Sequence, residues 1–191
     1  GMKALEDDVT EITFAVLTNP GYRKSARLRG GPAQKGEVEF APEGLHFQMG
    51  QYVYLTLPGI SNVQAHPFNI ASSVYDRYTT LYIKSQGEAT YTGQLYEFAK
   101  RLEDPDKKPL PLKHIPIHVD GPYGLPFDYT AHSSLLLIAG GIGITPLHCI
   151  ARSLLQLLKT GKGLATTKLR KVRLVWSFKN PDMLYDNATV E

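Results

Sequence analysis

A glycine-rich turn between two apolar segments is the part of this sequence best suited to holding a phosphate. Residues 140–146 read Gly-Gly-Ile-Gly-Ile-Thr-Pro and follow an apolar run at residues 135–139. Glycines let backbone N–H groups approach a pyrophosphate, which the positive end of a following helix also attracts. A tight strand-to-helix turn would need glycine for its conformation alone, so both interpretations stand. The candidate residues of this turn are Gly140, Gly141, Gly143, Thr145 and Pro146.

A second motif combines an aromatic ring with a side-chain amide. It comprises the consecutive residues His66, Pro67, Phe68, Asn69 and Ile70. The run could be a strand that starts after the proline, with Phe68 in the core, which is the more common place for a single phenylalanine.

Two further motifs offer backbone or cationic contacts. Gly121 and Tyr123 belong to the run Gly-Pro-Tyr-Gly, which could equally be a turn that ends a strand. The fourth motif is Tyr82, Ile83 and Lys84, followed by Gly87 and Thr92 at the predicted start of a helix. An anion could lie between Lys84 and the free N–H groups of that helix, or Lys84 could simply be solvated.

The order and spacing of these motifs resemble the flavin- and nicotinamide-binding unit of the ferredoxin reductase-like superfamily. Within it, they are most similar to the ferric reductase and NADPH oxidase family, over about residues 9–186. Residues 66–69 match the family's HPF-Thr/Ser motif, 121–124 its GPYG turn, and 140–146 its GGIG-Ile/Val-TP loop. Lys84, Gly87, Thr92 and Leu95 match its Arg/Lys…Gly…Thr-x-x-Leu segment. Residues 47–53 resemble its PGQY strand, with Met49 in place of the proline.

The resemblance implies a role for each matched residue in binding FAD. Phe68 would lie against the isoalloxazine ring. Asn69, where relatives carry a hydroxyl residue, would face the flavin N5 edge and is the one predicted catalytic residue. The FAD diphosphate would lie near His66, Lys84 and Thr92, and the ribose and adenine near Tyr82 and Ile83. The remaining predicted cofactor contacts are Pro67, Ile70, Gly121 and Tyr123.

The resemblance also implies a pyridine nucleotide. Gly140, Gly141, Gly143, Thr145 and Pro146 would hold the dinucleotide. Lys179 stands where relatives often keep an Arg or Lys for a 2′-phosphate, which favours NADPH over NADH.

The predicted function is that of an FAD-dependent oxidoreductase module of ferric reductase or NADPH oxidase type. It would pass electrons from NADPH through FAD to a haem or ferric acceptor. Hydride transfer needs no acid–base side chain, in keeping with the lack of any evident Ser/His/Asp or paired-carboxylate motif. The alternatives are a stand-alone soluble flavin reductase and a non-catalytic FAD-binding or interaction module with a degenerate nucleotide domain.

The family's haem-bearing helices and its C-terminal Cys-Gly motif are not found in these 191 residues. A haem-bearing membrane domain of the same parent chain is therefore the expected partner, and the module would lie at the cytosolic face of a membrane. Gly1 before Met2 resembles a tag remnant, so a piece of a longer protein is expected. Such a piece would be soluble and would turn over NADPH poorly.

Short alternating segments between glycines and prolines must position the other three motifs, at residues 66–70, 82–92 and 121–124. They predict a six-stranded antiparallel FAD-binding barrel with one helix, over residues 1–128. Thr92 is the predicted cap of the helix. The predicted strand segments are residues 12–16, 38–40, 52–57, 79–83 and 115–119.

A β-α-β unit must position the glycine-rich turn, within a partial NAD(P)-binding α/β domain at residues 129–191. The run at 135–139 predicts a strand buried on both faces. A helix at 147–158 with Thr145 as its cap follows, and then a strand at 172–178, so the two strands should be parallel.

Composition bounds the remaining classes. Apolar residues make up 42% and charged residues 20%, which is typical of a globular chain and excludes a disordered one. A net charge of +3 gives no argument for nucleic acid. The single cysteine, Cys149, excludes an intrachain disulfide, and no metal site is predicted. No apolar run reaches the roughly 18–20 residues of a membrane span.

Overall fold

The computed structural model describes residues 2–5, 7–14, 45–104, 117–160 and 167–179. Within them the chain forms eight strands and two α-helices. In chain order these are β1 (Met2–Leu5), β2 (Val9–Phe14), β3 (Tyr52–Thr56), β4 (His66–Asn69), β5 (Thr79–Lys84), α1 (Tyr91–Glu103), β6 (His118–Tyr123), β7 (Ser134–Gly140), α2 (Ile144–Thr160) and β8 (Lys171–Ser177).

The first six strands form two antiparallel sheets of three strands each, in the orders β1-β2-β5 and β4-β3-β6. The predicted closed barrel of six strands is not confirmed, because no ladder joins the two sheets among the described residues. The predicted segment at 38–40 lies outside those residues, as does residue 16. Antiparallel pairing itself is confirmed.

One apolar core joins both sheets to α1. Strand alternation supplies it: Val53 and Leu55 of β3 are fully buried, and the residues between them are not. Leu81 on β5 and Leu95 on α1 meet them in the same cluster. The two sheets and the helix are therefore held by shared burial.

The start of α1 differs from the prediction. Thr90, not Thr92, is the N-cap, and its Oγ1 accepts a hydrogen bond from the Gly93 N–H at 3.0 Å. The Thr92 hydroxyl instead accepts from the Gln86 N–H at 3.0 Å. Both threonines could cap by chemistry, and the turn that precedes the helix decides between them.

The predicted β-α-β order is confirmed in the C-terminal part. β7 and β8 pair in parallel, from Ser134 with Lys171 to Gly140 with Ser177. A single 3₁₀ turn, Gly141–Gly143, leads into α2. The prediction of Thr145 as the cap was wrong, because α2 begins at Ile144 and the Thr145 hydroxyl donates to the Ile142 carbonyl at 2.8 Å.

β7 is buried on one face only, so the prediction of burial on both faces was wrong. Leu137 and Ala139 are buried on the α2 side, whereas Leu136 is 60% exposed and Ile138 69% exposed. Val175 of β8 is 52% exposed. Nothing among the described residues covers these apolar side chains.

Two strands differ from the sequence prediction in the N-terminal part. β1 was not predicted, yet Met2 pairs with Ile12 of β2 and is buried. β6 covers His118–Tyr123, so the Gly-Pro-Tyr run is part of the strand instead of a turn after it. The Gly121–Pro122 peptide bond is cis. Residues 115–116 lie outside the described part.

By length and composition alone, Gly141–Thr160 is the one segment among the described residues that could cross a membrane. None was expected. α2 packs Ile150 and Leu154 in one cluster with Leu137 of β7, as a helix of a protein core does.

Candidate functional site

A cleft of about 280 Å³ lies where β4, β5, the start of α1 and the glycine turn meet. It brings together nine of the predicted site residues, from three of the predicted motifs. Its lining residues are Pro67, Phe68, Asn69, Tyr82, Ile83, Lys84, Gln86, Thr92, Ile142, Gly143 and Thr145.

β4 presents its residues to two sides. Phe68 is half-buried, packs against the N-terminal core and also lines the cleft. Asn69 and Pro67 are exposed beside it. Ile70 is 1% exposed in the core, so only its backbone can face a ligand.

His66 is not among the lining residues. Its ring stacks on Tyr91 with centroids 4.2 Å apart. Its Nε2 atom is buried and has no hydrogen-bond partner among the described residues. The predicted contact of His66 with the FAD diphosphate remains a prediction.

Lys84 is the only charged residue that lines the described cleft. It is paired with the carboxylate of Asp7, which is not part of the lining. Its Nζ atom donates to Asp7 Oδ2 at 2.5 Å, and about a third of its side chain is exposed. Neither α1 nor α2 has an acidic residue in its first turn. The cleft therefore offers one ammonium and two helix N-termini, a combination that suits an anion.

Tyr82 stands across the cleft from the glycine turn. Burial raises the pKa of its phenol above the ordinary value of 10.0, and Glu11 raises it further. Its ring meets His148 of α2 edge to face, with centroids 6.4 Å apart. Tyr82 therefore stays a neutral ring at physiological pH.

The glycine turn leaves open space where side chains would be. A Cβ atom built at Gly140, Gly141 or Gly143 would have nothing within 4 Å. The φ of +49° at Gly141 favours glycine, but Gly140 and Gly143 have ordinary φ values. Packing inside the described protein thus gives no reason for glycine at those two positions. A ligand that approaches the backbone would give one.

Trp176 of β8 is hydrogen-bonded to the glycine turn. Its indole N–H donates to the Gly141 carbonyl at 2.9 Å. Trp176 was not among the predicted site residues, since an aromatic residue in a strand gives no local sign of such a bond.

Gly93 was missed as well. A Cβ atom there would lie 2.0 Å from the Gly87 carbonyl oxygen, so the first turn of α1 can pack on the preceding loop only with glycine. This contact places Gln86 and Thr92 at the cleft. A glycine inside a helical pattern was the available signal.

The remaining predicted residues lie apart from the cleft lining. Gly121 and Tyr123 are on β6, where Tyr123 packs edge to face on Tyr54 and donates its hydroxyl to Asp120 Oδ2 at 2.8 Å. That bond raises the pKa of the Tyr123 phenol. Pro146 is in the first turn of α2, and Lys179 is exposed just after β8.

No group of three His, Cys, Asp or Glu residues that could hold a metal ion exists in the part of the chain that the structure describes. Burial raises the pKa of the Cys149 thiol to about 11.

Solved structures share this fold over almost the whole chain. A phthalate dioxygenase reductase aligns with a TM-score of 0.57 at 20% identity, over 95% of this chain and 43% of that one. A ferredoxin NADP+ reductase from Neisseria gonorrhoeae, solved with bound FAD and NADP, aligns with a TM-score of 0.55 at 15% identity. That match covers 96% of this chain and 56% of the reductase. The fold is thus that of the ferredoxin reductases, with antiparallel sheets, a helix and a parallel sheet.

Two family models match successive parts of the sequence. An FAD-binding domain matches residues 37–127, and a ferric reductase NAD binding domain matches residues 132–186. Together they take in more than half of the chain.

Relatives of known name agree with these models. The chain is 33% identical to ferric reduction oxidase 4 of Arabidopsis thaliana over 171 residues, 88% of this chain and 22% of that protein. It is 34% identical to respiratory burst oxidase homolog protein B of Solanum tuberosum over 140 residues, 64% of this chain and 16% of that protein. The chain thus spans about a fifth of the length of these relatives. It belongs to the ferric reductase and NADPH oxidase family, as a flavin- and NAD-binding electron-transfer module.

Proposed function

We propose that this chain binds FAD in the cleft, accepts reducing equivalents from NADPH and delivers electrons to a haem or ferric acceptor. The observation that carries the proposal is the meeting of β4, Lys84 and the glycine turn around one cleft. The unfilled space at Gly140 and Gly143 supports a dinucleotide against the turn. FAD, when bound, accepts a hydride from the reduced nicotinamide and releases electrons singly.

Each side of the cleft has its own task in this proposal. Phe68 offers a ring face that the core already holds in place, which suits stacking on an isoalloxazine. Asn69 is exposed beside it, and its amide would hydrogen-bond the N5 edge of the flavin. Lys84 and the N–H groups of the first turn of α1 would hold the diphosphate. For this, Lys84 must share its charge with Asp7.

The preference for NADPH over NADH rests on Lys179. Parallel strands end at one sheet edge, and Gly140 and Ser177 are paired there. Lys179 follows two residues later, on the side of the glycine turn, and is exposed. Its ammonium would neutralise a 2′-phosphate that NADH lacks.

The wider context is also proposed. Residues 1–128 would form the FAD-binding domain, with a closed barrel when complete, and 129–191 part of the NAD(P)-binding domain. The electron acceptor would be a haem-bearing membrane domain of the parent chain, with this module at its cytosolic face. The names of the relatives, ferric reduction oxidase and respiratory burst oxidase homolog, support a ferric reductase or oxidase as the parent protein.

FAD binding is the first experiment. We expect titration calorimetry to give binding of FAD tighter than that of FMN, because only FAD carries the diphosphate and adenosine that Lys84 and Tyr82 would meet. Phe68→Ala should weaken FAD binding by tenfold or more, since about 1.4 kcal/mol is a factor of ten. Phe98→Ala is the matched control: Phe98 packs half-buried on the same core but does not line the cleft. Equal loss of FAD affinity in both variants, or no FAD binding at high micromolar concentration, would contradict the proposal.

The nucleotide preference has its own test. Lys179→Gln should weaken NADPH binding about tenfold and leave NADH binding unchanged. Lys168→Gln, an exposed lysine before β8, is the control. Equal loss for both nucleotides would mean that Lys179 does not read the 2′-phosphate.

A non-catalytic FAD-binding module is the second candidate, and the uncovered face of β7 and β8 favours it. In an open α/β sheet the ligand lies across several strand ends, and only two parallel strands are among the described residues. We expect NADPH to bleach the bound flavin slowly in anaerobic stopped-flow mixing. No bleaching at saturating NADPH would favour the binding module.

A further inference from the structure

A network of hydrogen bonds connects α2 to the segment that follows β4. We call this network the joint; it comprises residues 71–76 on one side and His148, Arg152, Ser153 and Gln156 of α2 on the other. Residues 71–76 continue the strand that carries Phe68 and Asn69. The α2 residues continue the helix that begins at the glycine turn.

His148 makes the first connection. Its Nδ1 atom lies 2.9 Å from the Ala71 carbonyl oxygen, and because that oxygen can only accept, Nδ1 carries the proton. Ser153 makes the second: its hydroxyl oxygen accepts from the Val74 N–H at 3.1 Å. Ser153 and Ser73 are buried, so these bonds are formed away from water.

Arg152 and Gln156 complete the joint. Arg152 donates to Asp76 Oδ1 at 3.3 Å, while Asp76 Oδ2 accepts from the Ser73 N–H at 2.9 Å. The Ser73 hydroxyl donates to Gln156 Oε1. The carboxylate of Asp76 therefore fixes its own loop and the facing helix together.

The position of the joint gives it a consequence for the cleft. Ala71 follows Asn69 by two residues, and His148 follows Thr145 by three. The His148–Ala71 bond therefore lies within three residues of a cleft-lining residue on both β4 and α2. Apolar contacts also join the two parts, since Cys149 packs in the N-terminal core and Met49 against both clusters. Such contacts are non-directional, whereas hydrogen bonds set an orientation.

Resting on the proposed function, we propose that the joint orients the glycine turn over β4, and that His148 is a positioning residue for cofactor binding. The bond from His148 to Ala71 sets the distance between the Gly143 side of the cleft and the Phe68 side. Loss of that bond widens the range of orientations that the glycine turn takes relative to β4. FAD then finds the Phe68 side of the cleft in place but not the Gly143 side.

The experiment uses the full chain and three variants. His148→Leu removes the donor and keeps an apolar side chain. His148→Asn places an amide N–H where Nδ1 stood. His132→Leu is the matched control at an exposed histidine away from the joint. We measure FAD affinity by fluorescence titration and hydrogen exchange of the amides at 142–145 and 52–56, well below the melting temperature.

We expect His148→Leu to weaken FAD binding by about tenfold and to speed exchange at 142–145, with exchange at 52–56 unchanged. His148→Asn and His132→Leu should stay within about twofold of the original chain. A lower melting temperature for His148→Leu, without change in FAD affinity or in exchange at 142–145, would overturn the proposal and leave the bond a merely structural one.

Two further outcomes are also decisive. If the original chain binds no FAD, the proposed function fails, while the exchange comparison still decides whether the joint orients the turn. If His148→Leu does not fold, Asp76→Asn and Arg152→Gln replace it in a double-mutant cycle. Non-additive losses of FAD affinity would support the joint, and additive losses would overturn it.

Discussion

The N-terminal sheets and the β7-β8 unit bury their apolar residues in different ways. In the first region, two sheets and α1 enclose one core, with Leu55, Leu81 and Leu95 fully buried. In the second, α2 covers one face of a two-stranded sheet, and Leu136 and Ile138 face outward. The first region therefore has its own source of stability, while the second depends on α2 and on its contacts with the first.

The same contrast separates the glycines of the two regions. Gly93 is tightly enclosed by the backbone of its own region, whereas Gly140 and Gly143 are surrounded by open space. Glycine supports the fold at the first position. At the other two it leaves room that no described residue fills and that a ligand could occupy.

The largest expected effect is in the enclosed core. Leu81→Ala should lower the free energy of unfolding by about 2–5 kcal/mol, through lost burial and the cavity that remains. Ile138→Ala, which removes an exposed side chain, should change it by no more than about 0.5 kcal/mol. Urea denaturation followed by circular dichroism measures both. Similar losses in the two variants would mean that the outer face of β7 is covered in solution.

The glycine contrast predicts a smaller effect, and one that differs in kind. Gly93→Ala should lower the free energy of unfolding by about 1–3 kcal/mol, because its Cβ atom meets the Gly87 carbonyl. Gly143→Ala should leave stability unchanged and weaken dinucleotide binding about tenfold. Thermal unfolding and calorimetry on both variants test this. A stability loss at Gly143 with unchanged binding would give that glycine a purely structural role.

Acidification should lower the stability of the folded chain through His148. Burial, and secondarily the Arg152 charge, hold the pKa of His148 below its ordinary 6.5, although Asp76 and the bond to Ala71 act in the opposite direction. Tyr82, which also faces His148, stays neutral. The unfolded chain then binds a proton that the folded chain does not, so stability is lost as pH falls below about 6.5.

Melting temperatures between about pH 7.5 and pH 5.5 measure this dependence. His148→Asn, which has no titrating ring, should show a shallower fall than the original chain. Identical slopes would mean that other histidines carry the whole effect.

The smallest effect is expected at Cys149, which lies where the two regions touch. With a thiol pKa of about 11, only about one thousandth of it is thiolate at pH 8. Alkylation should therefore be slow in the folded chain and rapid in denaturant. Rapid alkylation under native conditions would indicate that the two regions separate often.

Local sequence predicted the order of elements better than their ends and contacts. The apolar run before the glycine turn identified β7 and the helix after it, because a strand-turn-helix pattern is local. Thr90 and Thr92 could not be separated from sequence alone, since both can cap, and the Gln86 N–H engages one of them. β1 was missed because a four-residue strand is stabilised by its pairing with β2 and gives little signal of its own.

The site was predicted as a set of motifs, and the contacts among them were not. Asp7 and Lys84 are 77 residues apart in the chain, and so are Ala71 and His148. Such pairs depend on how the sheets and α2 pack together, which single-sequence patterns do not determine. The exposed face of β7 has the same origin, because an apolar run predicts burial without saying what covers it.

The hydrogen bond from Trp176 to the glycine turn gives the protein an optical reporter. Trp176 is the only tryptophan in the chain, so the indole emission comes from one place. The indole that emits is hydrogen-bonded to the Gly141 carbonyl of the turn. A spectral shift on adding a nucleotide would therefore report on the turn itself, without a label.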